Sequence, residues 1–204
     1  MLLVVYLEKN FAYHSMNMKT KIYTKENDRT LVVLDFENVE IGMRKAGKKW
    51  INKLNKWLNR EFKPSEKVVF LDCQRVNGHR YLLSKTNWTI QDVVTTDIGQ
   101  NSEIEYIKNA ADMELAMFTL DYAHHFSIDK VVLISGDGDY ARLVTYLKRL
   151  HIRVEVVSLL KSLSPKINEA ADDVHYLDHI LSLLENNGAD LVTTSAELSE
   201  GGTQ

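Results

Sequence analysis

Three short runs constrain this chain more than anything else in it: Leu31-Val-Val-Leu34, Val68-Val-Phe-Leu71 and Val131-Val-Leu-Ile134. Each is apolar at every position instead of at alternate ones. That pattern belongs to strands buried on both faces, as in a parallel sheet covered by helices. Thr89–Thr95, Val154–Val157 and residues 174–177 are further candidate strands. Between the runs the apolar spacing changes to the helical one. Residues 46–60 place Trp50, Ile51, Leu54, Trp57 and Leu58 on one stripe, and 104–126 run through Ile107, Met113, Leu115, Met117, Phe118 and Leu120. Residues 139–150 repeat the pattern with Leu143, Val144, Leu147 and Leu150, and shorter helices are expected at 165–171 and 178–186. Strands alternating with helices predict an α/β fold, a three-layer sandwich around a central parallel sheet.

Composition sets the limits around that core. The chain has 204 residues, 45% hydrophobic and 26% charged, which fits one ordinary globular domain. The regular pattern spans 30–186. Residues 1–29 read as an N-terminal extension, either an edge strand near its start or disordered. The Gly-, Thr-, Ser- and Glu-rich residues 187–204 read as a disordered tail. No apolar run approaches the roughly 20 residues of a membrane-spanning helix, so no membrane partner is expected. Met1–Tyr6 is apolar but lacks a basic flank and meets Glu8 and Lys9 soon after, unlike a signal peptide. Cys73 is the only cysteine. It excludes an intrachain disulfide and a cysteine zinc site, and fits a reducing, cytoplasmic location.

Chemistry concentrates at strand ends. In open parallel sheets ligands bind beyond the carboxyl ends of the strands, where strand order reverses. Asp35 directly follows the first apolar run, and Asp137 and Asp139 follow another, in Ser135-Gly-Asp-Gly-Asp139. Gly136 and Gly138 are expected to allow a tight turn there. Asp112 interrupts an apolar helical face, and a buried carboxylate without a partner is costly. Four carboxylates converging from three elements would repel one another unless a cation lay among them. Hard oxygen ligands suit Mg²⁺ or Mn²⁺. A structural reading stands beside this one, since Asp137 and Asp139 are both good N-caps. An acidic rim alone would also fit a phosphatase or a response-regulator-like domain.

The residues then resemble a known family. Leu31-Val-Val-Leu-Asp-Phe-Glu-Asn38, Lys108-Asn-Ala-Ala-Asp-Met-Glu-Leu-Ala116 and Val131-Val-Leu-Ile-Ser-Gly-Asp-Gly-Asp-Tyr140 resemble, in order and spacing, the NYN domain. This is a branch of the PIN-like nucleases that includes LabA-like bacterial proteins. Ser164-Pro-Lys-Ile167 and Ala171-Asp-Asp-Val174 resemble its closing stretch. The resemblance implies a Rossmann-like sandwich whose acidic cluster binds Mg²⁺ or Mn²⁺ for RNA hydrolysis. It implies Asp35, Asp112 and Asp137 as metal ligands and Asp139 as a further one, direct or through water. Asn38 would orient a ligand or the scissile phosphate, and Ser135 would hydrogen-bond a carboxylate or contact the substrate. One departure stands out. Many relatives carry a second Asp six residues after the first helical one, where this chain has Phe118, which points to one firmly held metal.

Substrate contacts are expected from the basic stripe after Asp35. Arg44, Lys45, Lys48, Lys49, Lys53, Lys56, Arg60 and Lys63 face one acid, Glu61. Of these Arg44, Lys45 and Lys48 lie nearest the strand end, and Arg75, Arg80 and Lys108 are further candidates for phosphate contact. A solvated helix face and a structural salt bridge are the plain alternatives. Tyr81 and Trp88 could stack on bases, although Trp88 beside a strand reads as core. His124 and His125 suit a helix C-terminus. A net charge of −3 is unusual for a nucleic-acid binder, which makes charge placement decisive. The activity that the resemblance implies is a metal-dependent ribonuclease acting on single-stranded or structured RNA, with a homodimer as an expected assembly. The alternatives are a catalytically weak RNA-binding or scaffold protein of the same fold, and a phosphatase with Asp35 as nucleophile. The latter chemistry prefers Asp where Glu37 stands. No Gly-x-x-x-x-Gly-Lys-Ser/Thr run points to a P-loop.

Overall fold

A computed structural model describes residues 29–44, 47, 49–72, 78–93 and 104–184, with side chains from 110 onward in the last segment. All but the last residue of the expected 1–29 extension and the tail from 187 lie outside these residues, as do Lys45, Lys48, Cys73, Arg75 and the side chain of Lys108.

The six described strands are β1 (Thr30–Asp35), β2 (Glu66–Leu71), β3 (Thr89–Asp92), β4 (Lys130–Ile134), β5 (Arg153–Ser158) and β6 (Asp173–Tyr176). All pair in parallel, in the order β3-β2-β1-β4-β5-β6. The helices are α1 (Phe36–Met43), α2 (Lys49–Glu61), α3 (Arg80–Lys85), α4 (Ile104–His125), α5 (Ala141–Arg149) and α6 (Pro165–Ala170), with helix also at 177–184 (α7). The expected three-layer α/β sandwich is what forms. The apolar runs become the fully buried strands β1, β2 and β4, and period 2 divides their side chains between two cores. Val32 and Leu34 pack with α1, α2 and α7; Leu31 and Val33 pack with α4, α5 and α6.

The chain builds outward from β1 to β3 on one side and from β4 to β6 on the other. The reversal between β1 and β4 opens a crevice at their carboxyl ends. Register fixes what lies there. Thr30 pairs with Lys130 and Leu34 with Ile134, so Asp35 comes level with Ser135. By parity both continue the row of Leu31 and Val33 and turn toward α4 and α5.

Several elements differ from the sequence expectation. Helices α1 and α3 replace what reads as strand end and loop. β3 stops at Asp92, and the 139–150 helix splits into a 3₁₀ turn at Gly138–Tyr140 followed by α5. Phe118 packs on Phe70, ring centroids 5.5 Å apart, so it fills core on the face that carries Asp112. Met113 and Met117 fall outside the core, 61% and 60% exposed. Trp88 is buried, as its position implies. Among the described residues, no helix is long and apolar enough to cross a membrane.

Candidate active site

Asp35 ends β1 and caps α1. Its Oδ1 accepts from the Asn38 backbone N–H at 3.2 Å, satisfying one of the unpaired donors at the helix start. Its Oδ2 accepts from the Ser135 hydroxyl at 3.2 Å and lies 3.4 Å from the Tyr140 hydroxyl. That hydroxyl donates at 2.9 Å to Asp112 on α4. Tyr140 thus links two carboxylates through a single hydrogen shared between them, the shorter contact being to Asp112. Asp35 is 7% exposed. Burial pushes its carboxyl up, and the Asp112 charge adds to this. The bonds from Asn38, Ser135 and Tyr140 pull the other way, leaving it near pKa 7 against an ordinary 3.8. The same burial and the charges of Asp35, Asp112 and Asp137 hold the Tyr140 hydroxyl far above its ordinary range, so it stays a neutral donor.

Asp137 follows β4 and is the N-cap of the 3₁₀ turn, accepting from the Asp139 N–H at 3.0 Å. Its own N–H donates to Ser135 Oγ at 3.2 Å. The capping role left open by the sequence therefore falls to Asp137 and to Asp35. Asp139 is exposed at the mouth. Asn38 does not face outward through its carbonyl, because Oδ1 accepts from the Gly136 N–H at 3.0 Å. It ties the β1–α1 corner to the loop after β4 and so positions both acidic segments. Ser135 is 0% exposed. It bonds a carboxylate as expected, but it is closed to any substrate.

The glycines serve another purpose than turning. Neither has positive φ. A Cβ on Gly136 would lie 2.3 Å from the Ser162 carbonyl oxygen and 2.5 Å from Ser158 Oγ, and one on Gly138 would lie 2.4 Å from Ser164 Oγ. The 159–164 loop presses directly on the acidic segment, with Ser164 N–H donating to the Gly136 carbonyl at 2.9 Å. Gly136→Ala is therefore expected to cost about 3 kcal/mol of stability in urea denaturation, since backbone must move to admit the methyl group.

The donor set fits a hard divalent cation in kind: among the described residues it offers carboxylate oxygens, no soft ligand, and a buried Asp35 carboxylate whose charged neighbour is another acid, Asp112. As arranged, no three His, Cys, Asp or Glu side chains among the described residues lie close enough to hold one ion. The Asp137 carboxylate is engaged in its capping bond to the Asp139 N–H. Arg44 is exposed and pairs with Glu40 at 3.1 Å, one turn back on the same helical stretch. Arg80 begins α3 and is exposed, as is Lys49 at the start of α2. Tyr81 is exposed beneath Lys85 Nζ, 4.6 Å from its ring centre. Lys108 lies one turn before Asp112 on α4.

A strand-end Asp, its Asn three residues on, a helical Asp and a Ser-Gly-Asp-Gly-Asp loop now meet around one crevice, and the family model of the NYN domain matches residues 29–181. The chain belongs to the NYN domain family. This family has a PIN-like nuclease fold and its members are generally ribonucleases. Among solved structures, a protein of unknown function from Vibrio parahaemolyticus RIMD 2210633 is similar, with a TM-score of 0.65 and 17% identity. The match covers 78% of this chain and 98% of that one. At that identity the likeness speaks for the fold alone. No curated protein matches.

Tyr140 is the member of this NYN site that sequence reasoning passes over. It closes the Ser-Gly-Asp-Gly-Asp-Tyr run, but an aromatic after an acidic loop reads as core. The available signal is chemical: a buried tyrosine hydroxyl needs a partner, and the nearest residues in sequence are acids.

Proposed function

We propose that this NYN domain is a ribonuclease that hydrolyses RNA phosphodiester bonds with water activated by Mg²⁺ or Mn²⁺. The observation that carries this reading is the Asp35–Tyr140–Asp112 bridge. It places a nearly buried carboxylate, held near pKa 7, at the reversal of strand order, and capping α1 alone would not call for a second acid beside it. Asp35, Asp112 and Asp137 would hold the cation, with Asp139 at the exposed edge. When bound, it would supply an activated water and stabilise charge on the leaving oxygen. Ser135 and Tyr140 fix the Asp35 carboxylate, and Asn38 fixes the loop that carries Asp137. Arg44, Lys49 and Arg80 would offer phosphate contacts around the rim, with Lys45, Lys48, Arg75 and Lys108 as further basic candidates by sequence. Among the described residues no serine or cysteine stands beside a histidine base at this site, and the attacking group in this reading is water, in line with the 3′ oxygen. We also take the protein to be cytoplasmic, and a homodimer is open to sedimentation.

The test is cleavage of a labelled single-stranded RNA in Mn²⁺ or Mg²⁺ by the wild type and by Asp137→Asn. The variant is expected to lose most activity; equal rates would sink the proposal. A second reading, RNA binding with weak catalysis, draws on the absence of a ready three-acid group among the described residues and on Phe118. Binding that persists in chelator, with no products in metal, would favour it.

A further inference from the structure

Helices α4 and α5 are separated by a groove of about 560 Å³. Met113, Ala116 and Leu120 line one wall, and Leu143 and Tyr146 the other. One end of the groove is the candidate active site itself, because Asp112, Asp139 and Tyr140 also line it. We propose that this groove is a nucleobase subsite, with Tyr146 as the stacking surface and Arg142 as a phosphate contact. The inference rests on reading the acidic cluster as an RNA-cleaving site.

Continuity is the first reason. Tyr140 turns its hydroxyl to the carboxylates and its ring to the groove wall. A strand whose phosphate lies at Asp35 and Asp112 would therefore bring its neighbouring nucleotide into the groove. The wall chemistry is the second. Tyr146 is 42% exposed and has one ring neighbour, His124, edge-on with centroids 6.3 Å apart, so more than a third of its surface is open to a base. Met113 supplies a polarisable thioether at an exposed position that helical periodicity assigns to the core. Charge is the third. Arg142 is the cation among the described residues that line the groove, beside Asp112 and Asp139, and would meet a backbone phosphate there. The volume is also right, lying within the 300–1,000 Å³ of small-molecule sites, roughly a nucleoside and its surrounding water. A base stacked inside a duplex could not enter, so the subsite would read unpaired nucleotides.

The experiment measures binding by fluorescence anisotropy, in chelator, so that it does not depend on cleavage. The full chain is titrated with a labelled single-stranded RNA octamer, with the same octamer carrying one abasic residue at each position in turn, and with a duplex. Tyr146→Ala is expected to weaken single-strand binding roughly tenfold, the size of one lost base–aromatic stack. Tyr146→Phe should bind as the wild type does. One abasic position should weaken the wild type to a similar extent and Tyr146→Ala no further, because the two losses are the same contact. Met113→Glu, at an exposed position, provides a second variant that folds.

Unchanged single-strand affinity in both Tyr146→Ala and Met113→Glu overturns the subsite. So does an equal loss for single strand and duplex, or no binding of either RNA by the wild type. A variant that loses self-association in sedimentation while keeping RNA affinity also overturns it, in favour of a contact between copies. Should Asp137→Asn cleave as the wild type does while the abasic coupling appears, the subsite stands and the cleavage reading falls.

Discussion

Asp35→Asn is expected to abolish RNA cleavage and, in the metal-free protein, to raise thermal stability at pH 8. The two effects have one cause. Asp35 sits nearly buried beside Asp112, and both draw on one tyrosine hydroxyl. Its carboxyl stands near pKa 7 in the fold against 3.8 when exposed, a difference of about 4 kcal/mol against the ionised form. Asparagine keeps the shape and can still accept from the Asn38 N–H, but carries no charge. The loss of activity should exceed the roughly 10–100-fold typical of groups that merely support a metal ligand. A cleavage rate within tenfold of wild type would remove Asp35 from the site.

The pH dependence follows with a definite sign. Below about pH 4 Asp35 is protonated in both folded and unfolded chains and contributes no difference. Between pH 4 and 7 the folded chain keeps a proton that the unfolded chain has lost, so the stability tied to this proton falls as pH rises. Above pH 7 the whole penalty is felt. The melting temperature of Asp35→Asn minus that of wild type should therefore widen from pH 4 to pH 8. Adding Mn²⁺ at pH 8 should narrow it by raising the wild type alone, because binding to the folded state adds stability by mass action. A gap that stays constant across pH would mean that the carboxyl is not held up by its surroundings.

How far this was legible in the sequence depends on the range of each contact. The apolar runs give the parallel sheet directly. Once the strands alternate with helices, Asp35 and Asp137 must lie at carboxyl ends. Even the Asp35–Ser135 contact follows from period 2 and register. The short helix after Asp35 is absent from the sequence reading, although Asp35 with Glu37 in the first turn is a helix-start signal. Other features are set by partners far along the chain. The role of Gly136 depends on Ser158 and Ser162, more than 20 residues on, and no local pattern announces a backbone pressed that close. Periodicity puts Met113 and Leu115 on the same helix but cannot say which neighbour covers each. Leu115 meets the sheet, whereas Met113 meets an open groove. Tyr140 falls between these cases: its position is local, but its function needs Asp35 and Asp112 brought in from two other elements.

At the opposite ends of the strands, Glu155→Ala is expected to cost about 3–5 kcal/mol while leaving the acidic site untouched. Glu155 alternates with Val154 and Val156 on β5 and so turns to the face where Trp57, Phe62 and His175 pack together. There it lines a cleft of about 1310 Å³ at the amino ends of the strands. The ion pairs in this cleft are mutual. Glu155 meets Lys130 at 2.9 Å, Arg153 at 3.0 Å and His175 at 2.8 Å, Arg153 also pairs with Asp173, and Lys148 pairs with Asp172 at 2.9 Å. Burial pushes the Glu155 carboxyl up. The hydrogen bonds from His175 and Lys130 and the charges of Lys130 and Arg153 outweigh it, and the carboxyl is held near pKa 2 against 4.5. Removing it strands Lys130, which is largely covered and rests over the Phe62 ring. Because this pKa is depressed on folding, its contribution of about 3 kcal/mol is present above pH 4.5 and is lost as pH falls toward 2. Urea denaturation of wild type, Glu155→Gln and Glu155→Ala should therefore show wild type well ahead at pH 7 and converging on Glu155→Gln near pH 2. Equal stability of wild type and Glu155→Ala at pH 7 would show that the network does not hold the sheet edge.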